Sequence, residues 1–394
     1  MPAGDTWPSE SRRFEDPKTG VPILQLTNHR CHSFHPYFTN PGLWDEGRRL
    51  ILASHRGNAA NLYSCELETG ELRQLTDFGP DGGVRSALIF VNPKRDEVYF
   101  VEGARILALD LRTLRQRVLF EKPEGFRLGS LSCTADGTRI CTVVNEDLSS
   151  RIRMDLGHGY VGFAEYSAAR PLSKVLAVSV DDGRIDLVHE ERFWIGHVNT
   201  SPTLPNVLTF CHEGPWDKVD QRMWTLDVAS RQAAPLRKQS PGENLGHEYW
   251  FADGERVGYH GWGEGPESPP PSSVAGCPSH RFGWVRWDGS AGEEYRFPHG
   301  STHFHSLDEE LIVGDGGGER RELLLWRLRD GEYEGPRTLA VHRGSFHVQI
   351  LHVHPRMFAG RDGQIRVLYS ADPQGYGNVY VADVPEFESL PEAE

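Results

Sequence analysis

The chain has 394 residues, which is too long for one ordinary compact core and indicates either several domains or one closed repeat architecture. Its formal net charge of −14 excludes nucleic acid as the expected partner, because phosphate binding relies on a basic surface. Glycine (42 residues) and proline (26 residues) indicate many turns, and the aromatic content favours strands over helices.

The sequence also bears on the compartment. It contains no apolar run of about 18 residues, the length that a membrane-spanning helix needs, and residues 1–20 lack the core of a signal peptide. We therefore expect a soluble, cytoplasmic protein with no membrane partner. Its cysteines have no CxxC spacing, which favours buried thiols in a reducing compartment over a disulfide framework.

One unit of strand, loop, strand, turn and strand recurs along the chain. Its first clear copy spans residues 35–76, and the later copies repeat its apolar runs and turn residues. The strand runs that identify the seven copies begin near His35, Ala87, Leu131, Val207, His247, His303 and His352. A spacing of about 40 to 70 residues is typical of four-stranded propeller blades with uneven loops. The sequence therefore predicts an all-β fold, a seven-bladed β-propeller.

The two ends of the chain predict how the ring closes. Residues 21–27 resemble the outer strand at residues 71–76 but follow no inner strands, whereas residues 378–384 have no outer strand after them. The N-terminal strand is therefore expected to complete the last blade and to remove an open sheet edge. The predicted organisation is an N-terminal extension (1–20), the propeller (21–385) and an acidic C-terminal tail (386–394).

Two stretches do not fit the repeat. Residues 149–186 are too irregular to assign, so the third copy has only its first two strands, at residues 131–134 and 139–144. Residues 264–279 are rich in proline, serine and glycine and predict a long loop between two strands of the fifth blade.

Side chains that bind metals are concentrated in residues 345–355, at the entry of the seventh copy. His352 and His354 are two residues apart, so an extended segment places both on one face. Gln349 has the opposite parity and must lie in the turn entering the strand to reach the same ion. A histidine-rich loop with satisfied hydrogen bonds is the alternative. We favour a divalent-metal site, because histidine is the commonest metal ligand.

Further histidines are expected at the same face of the ring. In a propeller blade, the entry of the first strand and the loop between the second and third strands open on one face. His247 opens the fifth blade and His303 opens the sixth, so both are expected near the seventh-blade histidines. His305 shares a strand face with His303 and is the alternative ligand. His247 could also be a channel histidine bonded to a backbone carbonyl.

Basic side chains are predicted at this face as well. Arg56, Lys218 and Arg222 lie in loops between second and third strands. An acidic protein that binds an anion needs such local positive charge. The alternative for Arg222 is an ordinary ion pair with Asp220 in the same loop.

Several short motifs occur in a characteristic order. They are CHEGPW (211–216), DQRMW (220–224), GHEYW (246–250), STH (301–303) and QILHVHP (349–355). Together they resemble the oligogalacturonate lyases, polysaccharide lyase family 22, and the resemblance spans roughly residues 20–385. The chain departs from the family at Val353, where relatives often carry proline, and in the insert at residues 264–279.

The resemblance implies a fold, a cofactor and roles for individual residues. The fold is again the seven-bladed propeller. The implied ligands of a Mn²⁺ ion are His303, Gln349, His352 and His354, the implied base is His247, and the assisting residue is Arg222. The implied substrate is a small anionic oligosaccharide, typically the unsaturated digalacturonide, which is cleaved inside the cell to 4-deoxy-5-ketouronic acid. Arg56 and Lys218 are expected to bind it. The ligands alone suit Mn, Fe, Co, Ni or Zn, so manganese comes from the resemblance.

These residues can support β-elimination, in which the difficult step is removal of the C5 proton beside the carboxylate. Four neutral ligands leave the ion its full charge for that carboxylate, Arg222 adds a second contact, and neutral His247 takes the proton. One alternative is a non-catalytic propeller that docks partner proteins, which would hold no tight metal and would not need His247. Another is a lyase of the same type that acts on a different uronide.

Overall fold

The computed structural model of the chain describes residues 2–84, 86–156, 160–263, 280–317 and 320–393. Its strands form seven antiparallel sheets, which are the blades of a β-propeller. This confirms the fold class predicted from the repeat. The stretch at residues 264–279, predicted as a long loop in the fifth blade, lies outside the described residues.

The strands of the first half are numbered in chain order. Three strands precede the first blade: β1 (Thr6–Trp7), β2 (Arg12–Glu15) and β3 (Pro22–Gln25). Blade one contains β4 (Ser33–Phe34), β5 (Leu43–Trp44), β6 (Arg49–Ser54), β7 (Asn61–Glu66) and β8 (Leu72–Gln74). Blade two contains β9 (Ile89–Val91), β10 (Glu97–Glu102), β11 (Arg105–Asp110) and β12 (Gln116–Glu121). Blade three contains β13 (Phe126–Cys133), β14 (Arg139–Glu146), β15 (Leu172–Ser179) and β16 (Ile185–Arg192), with helix α1 (Phe163–Ala168) before β15.

The second half continues the same pattern. Blade four contains β17 (Asn199–Thr200), β18 (Val207–Cys211), β19 (Met223–Asp227) and β20 (Gln232–Pro235). Blade five contains β21 (Glu243–Trp250), β22 (Arg256–Gly263), β23 (His280–Arg286) and β24 (Gly292–Phe297). Blade six contains β25 (Phe304–His305), β26 (Leu311–Gly314), β27 (Leu323–Arg329) and β28 (Glu332–Ala340). Blade seven contains β29 (Arg356–Ala359), β30 (Ile365–Ala371) and β31 (Asn378–Asp383), joined by β3 and β2.

The N-terminal segment closes the ring as predicted. β3 pairs with β31 in antiparallel register, with Ile23 opposite Ala382. β2 then adds to the outer side of β3, and β1 adds to the outer side of β8 in blade one. These strands cover edges that would otherwise present unpaired backbone groups. At the other end of the chain, Phe387 and Leu390 are buried against blades six and seven.

Clusters of buried apolar side chains between neighbouring blades hold the ring together. In β6, Leu50 and Leu52 pack toward blade seven, whereas Ile51 and Ala53 pack toward blade two. Alternate side chains of a strand point to opposite faces, and a blade has a neighbour on each face, so the strand is apolar on both. Burying each leucine or isoleucine contributes about 1.5 to 3 kcal/mol.

Blade three is complete, although the sequence predicted only its first two strands. The missing strands, β15 and β16, begin within the unassigned residues 149–186. A long connection that contains α1 separates β14 from β15, and Leu148, Tyr166 and Trp194 anchor it in a small apolar cluster. Among the described residues, no helix has both the length and the apolar character to cross a membrane.

Candidate active site and metal centre

One mouth of the central channel opens into a cavity of about 1060 Å³. Every blade contributes at least one residue to its lining. In blade order, these residues include Tyr37, Ala87, Arg127, His197, His247, His303 and His354. The predicted convergence of histidines at one face of the ring is therefore present in the structure.

Three histidines at this mouth form a compact group. His303 precedes β25 in blade six, and His352 and His354 precede β29 in blade seven. One ring nitrogen from each of the three lies within 4.8 Å of the others. A single transition-metal ion can bridge donors at this spacing, and imidazole suits such ions.

The orientation of His303 is fixed by Asp315, which follows β26. Nδ1 of His303 donates a hydrogen bond to Oδ2 of Asp315 at 2.6 Å. The other carboxylate oxygen accepts the backbone N–H groups of Thr302 and His303, at 3.0 and 2.9 Å. With Nδ1 donating, Nε2 keeps its lone pair for a metal, an arrangement common among metal-ligating histidines.

His354 has the features expected of a metal ligand. Its Nε2 atom is buried and makes no hydrogen bond with the described residues. Its backbone has a φ of 46°, a left-handed conformation that is uncommon for a side chain other than glycine and is often found at functional sites. Burial and the nearby His303 hold the pKa of His352 to about 4 and that of His354 well below its ordinary value. Both rings are therefore neutral, as a metal ligand must be.

The structure also separates the alternatives left open for the other donors. Gln349 lies in a short turn of 3₁₀ helix, Gln349–Leu351, and lines the cavity, where its side chain interacts with the Tyr160 hydroxyl. His305 lies in the core, where its Nδ1 accepts the backbone N–H of Met357 at 3.2 Å and its ring stacks on Tyr249. The geometry thus places His303, rather than His305, beside the seventh-blade histidines.

His247 lies beside this group but outside it. It lies where the regular pairing of β21 with β22 is interrupted, and its backbone has a left-handed φ of 49°. Its ring centroid is 4.7 Å from that of His303, and its Nδ1 is 3.0 Å from Nε2 of His260, on which it stacks. Burial and the positive charge that His303 and His260 would carry lower the pKa of His247 well below its ordinary value. A neutral His247 whose Nδ1–H donates to His260 has a free lone pair on Nε2.

Arg222 is buried and held by carboxylates, although not by the Asp220 considered from the sequence. Its Nε donates to Glu248 at 3.2 Å and its Nη1 donates to Glu213 at 3.3 Å. Its guanidinium carbon lies 5.0 Å from the ring centre of Trp216. These contacts fix a planar cation in the wall of the cavity.

The two remaining predicted residues are not in the cavity lining. The Arg56 side chain is fully buried, paired with Glu10 at 2.8 Å and packed over the rings of Trp7 and Tyr63. Its charge is committed to holding the N-terminal segment, so its position does not support the predicted contact with substrate. Lys218 is 72% exposed beside the mouth, with Nζ 3.1 Å from Asp217.

One wall of the cavity was not predicted from the sequence. The connection between β14 and β15 contributes an apolar and aromatic surface, comprising Met154, Leu156, Tyr160, Phe163 and Tyr166. Blade three also contributes Arg127, whose side chain is exposed to the cavity and forms no hydrogen bond or ion pair within the described part of the chain. The only available signal was the aromatic content of residues 160–166, in a stretch that fitted no strand pattern.

Comparisons with known proteins agree with this geometry. Residues 1–270 match the family model described as oligogalacturonate lyase. The chain is 24% identical to the oligogalacturonide lyase of Pectobacterium atrosepticum, over 98% of this chain and 99% of the relative. It is also 24% identical to the oligogalacturonate lyase of Dickeya dadantii, over 95% and 96%. A solved structure described as oligogalacturonate lyase in complex with manganese superposes with a TM-score of 0.85, at 23% identity over 98% of this chain and 99% of that chain.

Proposed function

The chain belongs to the oligogalacturonate lyase family, and we propose that it cleaves short oligogalacturonides, digalacturonides above all, by β-elimination to 4-deoxy-5-ketouronic acid. The observation that carries the proposal is the placement of His247 against a three-histidine group at the channel mouth. A neutral imidazole beside a metal site suits removal of a proton next to a carboxylate. A non-catalytic docking surface has no need of this arrangement.

We assign the metal site to His303, Gln349, His352 and His354. The buried, unpartnered nitrogen of His354 and the oriented ring of His303 support the assignment. The related structure described as a manganese complex supports manganese as the ion. When bound, Mn²⁺ would supply a divalent charge that stabilises the negative charge developing on the substrate carboxylate.

The protein's own residues would perform the proton transfer and hold the substrate. Nε2 of His247 takes the C5 proton of the uronide, and the bond from Nδ1 to His260 keeps the ring in the required tautomer. Glu213 and Glu248 already hold the Arg222 side chain in one position. Arg222 therefore binds the uronate carboxylate without first losing conformational freedom.

The substrate is tested directly by incubating the purified protein with Mn²⁺ and either saturated or unsaturated digalacturonate. We expect both to be consumed. By mass spectrometry, the unsaturated dimer should give two molecules of the keto acid, and the saturated dimer should give one together with one molecule of galacturonate. A diglucuronate of the same linkage serves as the comparison. If it is cleaved and digalacturonate is not, the protein is a lyase for another uronide. If neither is cleaved, the enzymatic proposal fails.

Asp315→Asn should weaken Mn²⁺ binding about 10- to 100-fold, because partners that orient a ligating histidine have effects of this size. The substitution removes the charge that holds the His303 tautomer. Isothermal titration with Mn²⁺ gives the affinity. Asp362→Asn is the matched control, because Asp362 lies at the surface and pairs with Arg366. Equal affinities for all three proteins would contradict the role of Asp315.

Arg127→Ala should raise KM for digalacturonate about tenfold and leave kcat nearly unchanged, since a hydrogen bond to a charged group contributes about 1.5 to 3 kcal/mol. Blade three lies across the ring from blades six and seven, so Arg127 suits the second carboxylate of a dimer whose first carboxylate lies at the histidine group. Steady-state kinetics on digalacturonate measures the effect. Arg184→Ala is the control, because Arg184 is exposed in the turn between β15 and β16. A loss of kcat with constant KM would argue against this subsite.

A further inference from the structure

β-Elimination requires an acid as well as a base. As the bond between C4 and the glycosidic oxygen breaks, the leaving oxygen becomes a strongly basic alkoxide, and a proton donor at that oxygen lowers the barrier. In the chair form of a galacturonide, the C4–O bond and the C5–H bond point to opposite faces of the sugar ring. The donor must therefore face the sugar from the side opposite to His247. This requirement rests on the proposed function.

Tyrosine hydroxyls in the cavity wall are suitable donors, and their contacts distinguish them. The hydroxyl of Tyr166 is bound to the backbone carbonyl of Glu146 at 2.6 Å. The hydroxyl of Tyr160 interacts with Gln349, and Tyr160 is itself 54% exposed. The hydroxyl of Tyr37 makes no hydrogen bond within the described part of the chain, although the residue lines the cavity. It is therefore free to bond a substrate oxygen.

Tyr37 and His247 contact different members of the histidine group. Tyr37 follows β4 in blade one, which adjoins blade seven, and its ring centroid is 4.8 Å from that of His354. His247 belongs to blade five, which adjoins blade six, and its ring is 4.7 Å from that of His303. The mechanism requires a uronate bound between these two side chains, with its carboxylate at the group and one ring face toward each of them.

The position of Tyr37 is fixed by the fold. Its backbone N–H donates to the carbonyl of Ala87 at 2.9 Å, and its carbonyl accepts the N–H of Asn40 at 2.7 Å. The next residue, Phe38, is fully buried beneath the rings of His303 and His354. A side chain on so well anchored a backbone can be aimed at one atom of a substrate.

The surrounding charges suit a donor. A tyrosine hydroxyl carries its proton at neutral pH, because its ordinary pKa is about 10. Arg222 lies near enough to stabilise the negative charge of the tyrosinate left after donation.

We propose that Tyr37 is the general acid of the reaction, donating its hydroxyl proton to the glycosidic oxygen on C4 of the uronide. His247 takes the C5 proton, the electron pair of that C–H bond forms the C4=C5 double bond, and the C4–O pair leaves with the oxygen. The proton from Tyr37 converts this oxygen into a hydroxyl group. Exchange with water in the cavity then returns a proton to Tyr37 and removes one from His247, so the cycle needs no oxidant or reductant.

Tyr37→Phe tests the assignment with two leaving groups. On digalacturonate, kcat should fall about 10²- to 10³-fold, within the range typical of general acid catalysis. On a 4-deoxy-4-fluoro galacturonide, where fluoride leaves with little help from a proton, the loss should be less than about tenfold. Tyr376→Phe is the matched control, because Tyr376 is exposed near His32 and is absent from the cavity lining. It should behave as the unsubstituted protein on both substrates.

Deuterium exchange at C5 supplies a second measurement on the same variant. In deuterated buffer, Tyr37→Phe should exchange the C5 proton of digalacturonate while cleaving it slowly, because base and metal site are intact. Equal losses on both leaving groups, or loss of exchange, would mean that Tyr37 positions the substrate, and an unchanged kcat would exclude any catalytic role. If the unsubstituted protein neither cleaves nor exchanges digalacturonate, the proposed function itself fails, and this inference fails with it.

Discussion

A His247→Asn variant should lose digalacturonate cleavage by about 10³- to 10⁴-fold, at the upper end of the effects of general bases, and should still bind Mn²⁺. The imidazole at this position is the proposed base, and its ring lies beside the three-histidine group without belonging to it. Asparagine tolerates the left-handed backbone of residue 247, where φ is 49°, and can hydrogen bond to His260. Loss of activity is therefore not expected to reflect misfolding.

The measurement pairs turnover with elemental analysis of the purified variant. His189→Asn provides the control, because His189 lies on the outer strand of blade three, away from the cavity. We expect that control to retain both activity and metal. If His247→Asn loses the metal together with activity, His247 is a ligand and the base is elsewhere. If it retains turnover, the assignment of the base is wrong.

The fold could be predicted because each blade repeats one local pattern. Strands such as β6 are apolar on both faces, since every blade is packed between two others, and turn residues separate them regularly. Ring closure followed from an outer strand at residues 21–27 that had no blade of its own. Blade three was harder to predict, because a repeat is recognised by its regular spacing and the long connection before β15 interrupts that spacing.

Only part of the site could be predicted from the sequence. His352 and His354 are two residues apart, so their approach could be predicted, although not by the extended strand that was expected: both precede β29, and His354 has a left-handed φ of 46°. Arg56 has a similar loop position to Arg222, and nothing local reveals that Glu10 in the N-terminal segment neutralises it. His260 and Arg127 come into the site only through pairing between strands and the arrangement of blades, which one sequence does not specify.

Substitution of a metal ligand should have a different signature from substitution of the base. His354→Asn should raise the Kd for Mn²⁺ at least about 100-fold, and kcat/KM at low Mn²⁺ should fall about 10³-fold, because a catalytic metal contributes several kcal/mol. Asparagine again fits the left-handed backbone, where φ is 46°, so the variant tests the imidazole rather than the chain conformation. Saturating Mn²⁺ should restore part of the activity, which it cannot do for His247→Asn.

Titration calorimetry and assays across a range of Mn²⁺ concentrations measure both effects. His305→Asn is the matched control, because His305 bonds the Met357 backbone in the core and lies outside the three-histidine group. It should bind Mn²⁺ as the unsubstituted protein does. Full metal binding by His354→Asn would contradict the ligand assignment.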